Sequence, residues 1–377
     1  GTPLARASPA GHLSRVIAGP PRRPGPWLRT AVAAGQAAAA ISRHVGLGAG
    51  AIIGGRVTLA LAPSALTGLS AGRQVVLVSG TNGKTTTAHL LAAALRTAGP
   101  VAHNETGANM ADGAVAALTA APDAPAAVIE VDELHLAAVA DAVNPAVVVV
   151  LNLTRDQLDR GNEVRAVAAA VGTALAAHPD TVVVANADDP MVVWAVQPAA
   201  RVVWVATGGR WTGDARTCPR CGRTLLRRAP SPEVPGWECG CGLKRPTPHW
   251  AARHSCAEIG GRVIPVRLRL PGAFNVGNAV IALATAEVLG LEPHVAAAAM
   301  ATTSEVAGRY TVAARRGRQA RLLLAKNPAS WAETMALLGA RPVLLAVNAR
   351  EADGRDTSWL WDVPFENLVS RRVVATG

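Results

Sequence analysis

The segment with the densest set of chemically capable residues is Val75-Val-Leu-Val-Ser-Gly80-Thr81-Asn82-Gly83-Lys84-Thr85-Thr86-Thr87, which runs into the Ala/Leu stretch Ala88–Ala98. An apolar strand, a turn with two glycines and a helix start, in that order, present backbone N–H groups to a phosphate. Lys84 is then placed to reach the terminal phosphates, and the Thr85 hydroxyl to ligate Mg²⁺. A forked guanidinium could not replace the ammonium here, and lysine is otherwise scarce: of 37 basic residues only Lys84, Lys244 and Lys326 are lysines. The full nucleotide-loop pattern carries a further glycine where this chain has Val78, so the loop is a shortened variant. The spacing predicts ATP binding by Gly80, Thr81, Asn82, Gly83, Lys84, Thr85 and Thr86.

Carboxylates follow where such a site needs them. Glu130 closes the run Ala127-Val-Ile-Glu130, ahead of Val131-Asp132-Glu133. Open α/β sheets bind ligands at the carboxyl ends of their strands, which makes Glu130 the candidate Mg²⁺ ligand beside Thr85. Asn152-Leu-Thr-Arg-Asp156-Gln157-Leu-Asp159-Arg160 follows the next apolar run in the same manner. Four of the five cysteines form Cys218-Pro-Arg-Cys221 and Cys239-Gly-Cys241, with seventeen residues between the pairs. Thiolates at these spacings in glycine-bearing turns converge on one tetrahedral ion, and four sulfurs leave no position for water. The prediction is a structural Zn²⁺ held by Cys218, Cys221, Cys239 and Cys241. Cys256 is left over and reads as a small packed residue.

These residues need elements to carry them. Short apolar runs, Val75–Ser79, Ala127–Val131, Ala146–Leu151, Thr181–Ala185 and Val202–Ala206, alternate with Ala/Leu stretches. That is the pattern of an α/β fold with a parallel sheet and helices on both faces. Residues 211–250, with Gly, Pro, Trp and the four cysteines, read as an inserted ribbon. A strand Val263–Leu270 and a helix Asn275–Leu289 are expected next. Beyond Gly308, strands Arg321–Ala325, Val343–Val347 and Val373–Ala375, with a helix around Ser330–Leu338, predict a smaller Rossmann-like α/β unit. The expected division is residues 1–55, a basic arm with a helix from about Leu28 to His44; 56–306, an ATP-binding domain; and 307–377, a C-terminal α/β domain that stops directly after a strand and so reads as incomplete.

Half of the 377 residues are hydrophobic and 17% are charged, which supplies buried cores and excludes wholesale disorder. The net charge of +11 is unevenly spread: ten basic residues and no acid precede Glu105, and the remainder holds 27 basic and 26 acidic side chains. A basic end suits an anionic lipid headgroup or a substrate pyrophosphate, and the nearly neutral body argues against a nucleic-acid binder. No run approaches the roughly 18 to 20 apolar residues of a membrane span. Clustered thiols without a secreted disulfide pattern predict a cytoplasmic protein, peripheral to the membrane where it meets one.

Taken together, Gly80-Thr-Asn-Gly-Lys-Thr85, Glu130, Asn152…Asp156…Asp159-Arg160, Asn186-Ala-Asp-Asp189, Gly272-Ala-Phe-Asn275-Val-Gly-Asn278 and Gly308-Arg309 resemble the Mur ligase family. Its members join a carboxylate to an amine through an acyl phosphate, using ATP. The resemblance implies that Asn275 contacts the adenine and Arg309 the phosphates. Gln157 stands where typical members carry a Mg²⁺-binding His, and no lysine between Asn152 and Asn186 can serve as their carbamoylated ligand, which argues against a second Mg²⁺.

A narrower resemblance rests on His103-Asn104…Gly107-Ala-Asn-Met110, Gln157, the four-cysteine insert, Ala325-Lys-Asn-Pro-Ala329 and Ala352-Asp-Gly-Arg-Asp356-Thr-Ser-Trp-Leu-Trp-Asp362. It is to the ATP-binding half of lipid II isoglutaminyl synthases, carbon–nitrogen ligases with glutamine as amido donor. It implies amidation of the α-carboxylate of D-isoglutamate in lipid II, with Lys84 and Glu130 as catalytic residues. Releasing ammonia from glutamine needs a Cys nucleophile with a His base, and Arg253-His-Ser-Cys256-Ala-Glu258 lacks the strand-to-helix elbow of one. The resemblance therefore implies a heterodimer with a GatD-like glutaminase, and gives Asp356 the role of orienting the partner's catalytic His. Read alone, Asp353 and Asp356 are better taken as ordinary turn residues around Gly354, and the surrounding match reverses that preference. Two other readings stand beside this one: a Mur-type ligase that adds an amino acid unaided, and a zinc-ribbon nucleic-acid binder.

Overall fold

The computed structural model describes residues 21–45, 50–104, 108–155, 163–209, 213–231, 234–304, 310–339, 341–348, 357–368 and 372–376. The chain opens with three helices, α1 (Pro26–His44), α2 (Ala51–Leu61) and α3 (Ala65–Ser70). It then alternates: β1 (Gln74–Ser79), α4 (Lys84–Leu95), β2 (Val101–His103), α5 (Ala111–Ala120), β3 (Ala126–Glu130), α6 (Leu136–Val143), β4 (Val147–Val150), α7 (Val164–Ala176), β5 (Val182–Asn186), α8 (Pro190–Ala195) and β6 (Arg201–Ala206). The cysteine insert forms a hairpin of β7 (Leu226–Ser231) and β8 (Val234–Glu238). Next come β9 (Trp250–Arg253), β10 (Cys256–Ile259), β11 (Arg262–Pro265), α9 (Ala273–Val288) and α10 (Pro293–Met300). The last stretch holds β12 (Tyr310–Arg315), β13 (Arg318–Leu323), α11 (Pro328–Leu337), β14 (Val343–Ala346) and β15 (Val373–Thr376).

One nine-stranded sheet runs in the order β11-β10-β9-β6-β5-β4-β1-β3-β2. From β2 to β6 every neighbour is parallel, and β9 joins β6 in parallel before the chain folds back through the antiparallel β10 and β11. The chain leaves β1 toward β3 and β2 on one side, then returns to its other side at β4. That reversal opens a crevice at the carboxyl ends of β1 and β4, the place where doubly wound sheets bind ligands. The four valines of β4 are all buried, because both faces of the sheet are covered. Val76, Val78, Val147 and Val149 face a core closed by α4, α9 and α10. Val75, Leu77, Val148 and Val150 face the opposite one, built from α3 and α5–α8.

Two sequence expectations are corrected. The strand expected over Val263–Leu270 pairs only through Pro265; Val266 and Leu270 instead turn into the core below α9. The strand expected at Arg321–Ala325 is β13, which pairs antiparallel with β12 rather than joining the parallel pair of β14 and β15. Its reason is the tight turn Arg316-Gly317, both at positive φ (51° and 73°), whose twist closes a two-residue hairpin.

Arg73 ties the start of β1 to the helices beneath it. Its guanidinium donates to the carbonyls of Leu69, Ala121, Pro122 and Ala124 at 2.8–2.9 Å. Burial pulls its pKa below the ordinary arginine value. Replacing Arg73 by Ala leaves those carbonyls without their donor and lowers the unfolding free energy by about 2 to 3 kcal/mol, with Lys restoring only part of the loss, as measured by urea titration.

Candidate functional site

The loop from Gly80 to Gly83 can bend only because both glycines take positive φ, 130° and 91°. A Cβ on Gly80 would meet Leu151 Cβ at 2.9 Å, and one on Gly83 would meet Asn278 Oδ1 at 2.7 Å. Hydrogen bonds stitch the loop to the segment after β4. Thr81 N donates to Asn152 O (2.8 Å), Asn82 N to Asn152 Oδ1 (2.9 Å), Asn152 Nδ2 to Asn82 O (2.8 Å) and Thr154 N to Thr81 Oγ1 (3.0 Å). Within this frame the Lys84 side chain is only 6% exposed. Its ammonium donates to Gly80 O (2.6 Å) and Thr81 O (3.5 Å) and pairs with Glu133 Oε1 at 3.5 Å.

Thr85 and Glu130 supply the test of a cation site. Thr85 Oγ1 and Glu130 Oε2 are fully buried, and neither has a hydrogen-bond partner. Polar oxygens are not left so without cost, and a hydroxyl with a carboxylate is the donor chemistry of a hard divalent ion. The residues therefore fit Mg²⁺. Asn104 fixes the Glu130 backbone from both sides, Nδ2 donating to Glu130 O (3.1 Å) and Oδ1 accepting from Glu130 N (2.9 Å).

A cavity opens beside the loop. Thr81–Thr86 form one wall, Phe274, Asn275 and Asn278 at the start of α9 another, and Arg227 of β7 and Lys326 before α11 reach it from further along the chain. Asn275, held by Nδ2 donation to Pro271 O (2.7 Å), lies in this wall. Glu130, 1% exposed, does not line the cavity. Arg309, Asp156, Gln157, Asp159, Arg160, Asp353 and Asp356 lie outside the described residues.

Several residues of the site belong to stretches the sequence marks, but their tertiary partners are not given by the motifs. Glu133 is the counter-ion of Lys84. Asn327 caps α11 by accepting from Ser330 N (2.9 Å) and, 245 residues from the loop, donates to Asn82 Oδ1 (3.0 Å). Asp188 accepts from Thr207 N and Gly208 N and from Arg245 at 2.7–2.9 Å, a buried pair that docks the end of the insert. Asp189 caps α8 and also accepts from Leu153 N (2.8 Å); burial pushes its carboxyl up to about 6. Arg155 pairs with Asp214 of the insert and with Asp362 (2.9 Å) near the end of the chain. No local spacing announces any of these partners.

The four cysteine sulfurs lie within 4.8 Å of one another, with Cys218–Cys241 and Cys221–Cys239 at 3.6 and 3.5 Å. Four ligands about 2.3 Å from a tetrahedral zinc stand about 3.8 Å apart, so the set fits a metal with little movement. Among these close sulfurs the backbone N–H of Leu243 pulls the Cys241 thiol down to about 6, while burial pushes the Cys218 thiol up, so the shifts do not favour the thiolate at every position. Trp237, Leu225 and Leu243 pack the cluster against Val193 of α8.

His103 closes β2 with both ring nitrogens buried and unpartnered, edge-on to His89 at 4.4 Å. His89 Nδ1 donates in turn to Thr85 O (2.9 Å). Burial, followed by the neighbouring His89 and Arg96, lowers His103 to about 3. The folded chain therefore keeps this ring neutral while the unfolded chain protonates it below its ordinary value of 6.5. Its contribution to stability is present above pH 6.5 and is lost as pH falls toward 3. A His103→Gln variant should show a pH dependence of unfolding free energy shallower by up to about 1.4 kcal/mol per pH unit in that window, read from denaturant titrations.

Comparison with known proteins places this geometry in a family. Residues 78–212 match the Mur ligase middle domain and 324–377 the MurT ligase C-terminal family. The lipid II isoglutaminyl synthase (glutamine-hydrolyzing) subunit MurT of Streptococcus pneumoniae (strain ATCC BAA-255 / R6) is 30% identical over 346 residues, 85% of this chain and 77% of that protein. The subunit of the same name from Staphylococcus aureus (strain COL) is 29% identical over 326 residues, 80% and 73% of the two chains. Among solved structures, a pseudomurein peptide ligase type C from Methanothermus fervidus shares the fold with a TM-score of 0.65 at 22% identity, over 81% of this chain and 68% of that one. MurF from Acinetobacter baumannii does so with 0.63 at 18%, over 85% and 67%. The chain belongs to the Mur ligase family, in the branch of the MurT subunits of lipid II isoglutaminyl synthase.

Proposed function

We propose that the chain is the ATP-using subunit that converts the α-carboxylate of D-isoglutamate in the lipid II stem peptide to the amide of D-isoglutamine, with ammonia from a GatD-like glutaminase bound as a heterodimer. The observation that carries the reading is the glycine-bent loop with Lys84 buried in it and two orphaned oxygens, Thr85 Oγ1 and Glu130 Oε2, beside it. ATP supplies the phosphoryl group: a substrate carboxylate oxygen bonds to the γ-phosphorus as the bond to the β-phosphate oxygen breaks. Ammonia then adds to the acyl carbon, loses a proton, and phosphate departs.

The chain's own part is positioning and charge. Loop N–H groups and Lys84 hold the negative oxygens of the transferring group, a role in which preorganised donors in a dry site are most effective. Thr85 and Glu130 would hold Mg²⁺, which neutralises the nucleotide phosphates when bound. Asn275 would take the adenine, and Arg309 would add a cation to the phosphates. Asp356 would orient the glutaminase's His from outside its subunit. Cys218, Cys221, Cys239 and Cys241 would hold a structural Zn²⁺ that keeps Asp214 and Arg245 in reach of the nucleotide side. The substrate's lipid places the reaction at the cytoplasmic face of the membrane, the chain working there as a peripheral protein; no helix of the described residues is long and apolar enough to cross it.

The test is reconstitution of chain, glutaminase, lipid II, glutamine and Mg-ATP, with mass analysis of the stem peptide. Amidated product is expected, and Lys84→Ala should reduce it by about 10³-fold. Asp356→Asn should abolish amidation driven by glutamine while sparing amidation driven by added ammonium salt. No product with the partner bound, or an amino acid added without any glutaminase, would overturn the reading. For the metal, elemental analysis should find one zinc per chain. Cys239→Ser should lose it and raise the KM for ATP, since the insert carries Asp214 and Arg245 toward the cavity.

A further inference from the structure

Helices α1 and α2 form a hairpin whose inner face is unusually close. A Cβ on Gly35 would stand 2.5 Å from Gly54 O, and Gly55 rests on the backbone of Asp112 at the start of α5. Ala31, Gly35, Ala39 and Ser42 are buried in this contact. The hairpin thus covers the α5 side of the sheet and turns its other side outward.

That outer side is apolar where a covering helix should be polar. Of the 17 exposed large hydrophobic residues among the described residues, six lie here: Trp27, Ile41, Val45, Ile52, Ile53 and Leu61. Trp27 and Ile41 are 65% and 64% exposed. On α1, Trp27, Ala34, Ala38 and Ile41 recur at spacings that put them along one flank of the helix. Trp27 Nε1 donates to Leu61 O (3.0 Å), which joins this strip to the end of α2 and leaves the indole satisfied with its ring outside. The other flank of α1 carries Arg29 and Arg43, with Arg22 and Arg23 just before the helix, all exposed and none with an acidic partner among the described residues. The sequence supplies ten basic residues and no acid before Glu105.

We propose that this face of the α1–α2 hairpin lies on an anionic lipid bilayer, with Trp27, Ile41, Ile52, Ile53 and Leu61 in the headgroup boundary and Arg22, Arg23, Arg29 and Arg43 on the lipid phosphates. An apolar strip flanked by arginines, with an aromatic ring at its end, is the composition of an interfacial helix. A protein partner would match the apolar strip but has no reason to require a segment free of acids. A bilayer with negative headgroups does. In purpose the proposal rests on the function proposed above, since a lipid-borne substrate is met at that surface; the binding itself is read from the hairpin.

The experiment is co-sedimentation of the full chain, alone and with its glutaminase, on vesicles of phosphatidylcholine with or without 30% phosphatidylglycerol, a probe composition of about physiological negative charge. Binding to the anionic vesicles only, weakening with salt, is expected. Each of Arg29→Gln and Arg43→Gln should weaken it roughly fivefold. Ile41→Gln should weaken it with unchanged circular dichroism and melting temperature, which separates lost contact from lost fold. Amidation of detergent-solubilised lipid II is measured on the same variants. Unchanged rates in detergent with reduced rates in vesicles support the proposal, whereas failure in detergent by every protein including the parent would fault the functional reading and leave the sedimentation result to stand alone. Equal binding to neutral vesicles, no binding to anionic ones, unaltered binding by the variants, or displacement from vesicles by the glutaminase would overturn it, the last assigning the face to the partner subunit.

Discussion

A buried ammonium is the constraint on which this structure turns. An unpaired ammonium at 6% exposure would carry a large desolvation cost, and a loop meant for phosphates needs that charge. The chain answers with two kinds of partner: the loop's own carbonyls at Gly80 and Thr81, which are free to face inward because Gly80 and Gly83 adopt positive φ, and the carboxylate of Glu133 at 3.5 Å. Neither is a permanent commitment. A carbonyl and a carboxylate 3.5 Å away are the contacts that a phosphate, with more charge and better geometry, displaces. The turn is held in readiness by the Asn152 and Thr154 hydrogen bonds, so that a ligand meets an arranged loop rather than having to arrange it.

The remainder of the molecule is arranged around that loop through a few polar contacts, some of them buried charges. Arg245 to Asp188 and Arg155 to Asp214 join the cysteine insert to the segments after β5 and β4; Arg155 to Asp362 and Asn327 to Asn82 join the last part of the chain to the same place. Breaking one member of such a pair strands the other, which is why these contacts define an arrangement more than they add stability. The metal-binding geometry of the four cysteines then has an evident use. A small insert cannot build a large core, and its Trp237, Leu225 and Leu243 make a modest one. A tetrahedral ion would fix the turns that carry Asp214 and Arg245.

What could be read from sequence follows the range of the interaction involved. The parallel strands were legible because a buried strand must be β-branched on both faces, as Val147–Val150 is. The phosphate loop and the cysteine set were legible because their residues are close in sequence. The hairpin of β9 and β10 was not, since Trp250-Ala-Ala-Arg253 and Cys256-Ala-Glu-Ile259 hold few β-branched residues and gain their strand form from the edge they join. Nor was the antiparallel course of β13, which depends on the Arg316-Gly317 turn. Glu133, Asp188 and Asn327 stand in stretches the sequence marks, yet nothing local names what they bind. Their roles come from partners 49, 57 and 245 positions away.

The five cysteines give the same lesson about chemistry. Four have sulfurs close enough to share one ion, and an ion held by all four would have no place left for a reacting water, so such a site would hold structure rather than perform catalysis. The fifth, Cys256, sits half-buried on β10 opposite Arg253 and Pro265, in an antiparallel hairpin rather than at the strand-to-helix elbow that exposes a nucleophile over a helix N-terminus. That placement agrees with the proposal that this chain activates a carboxylate while a separate glutaminase supplies the nitrogen. The two-subunit reading proposed for this protein rests on its relatives, which are subunits of glutamine-hydrolyzing synthases, and the position of Cys256 is consistent with it.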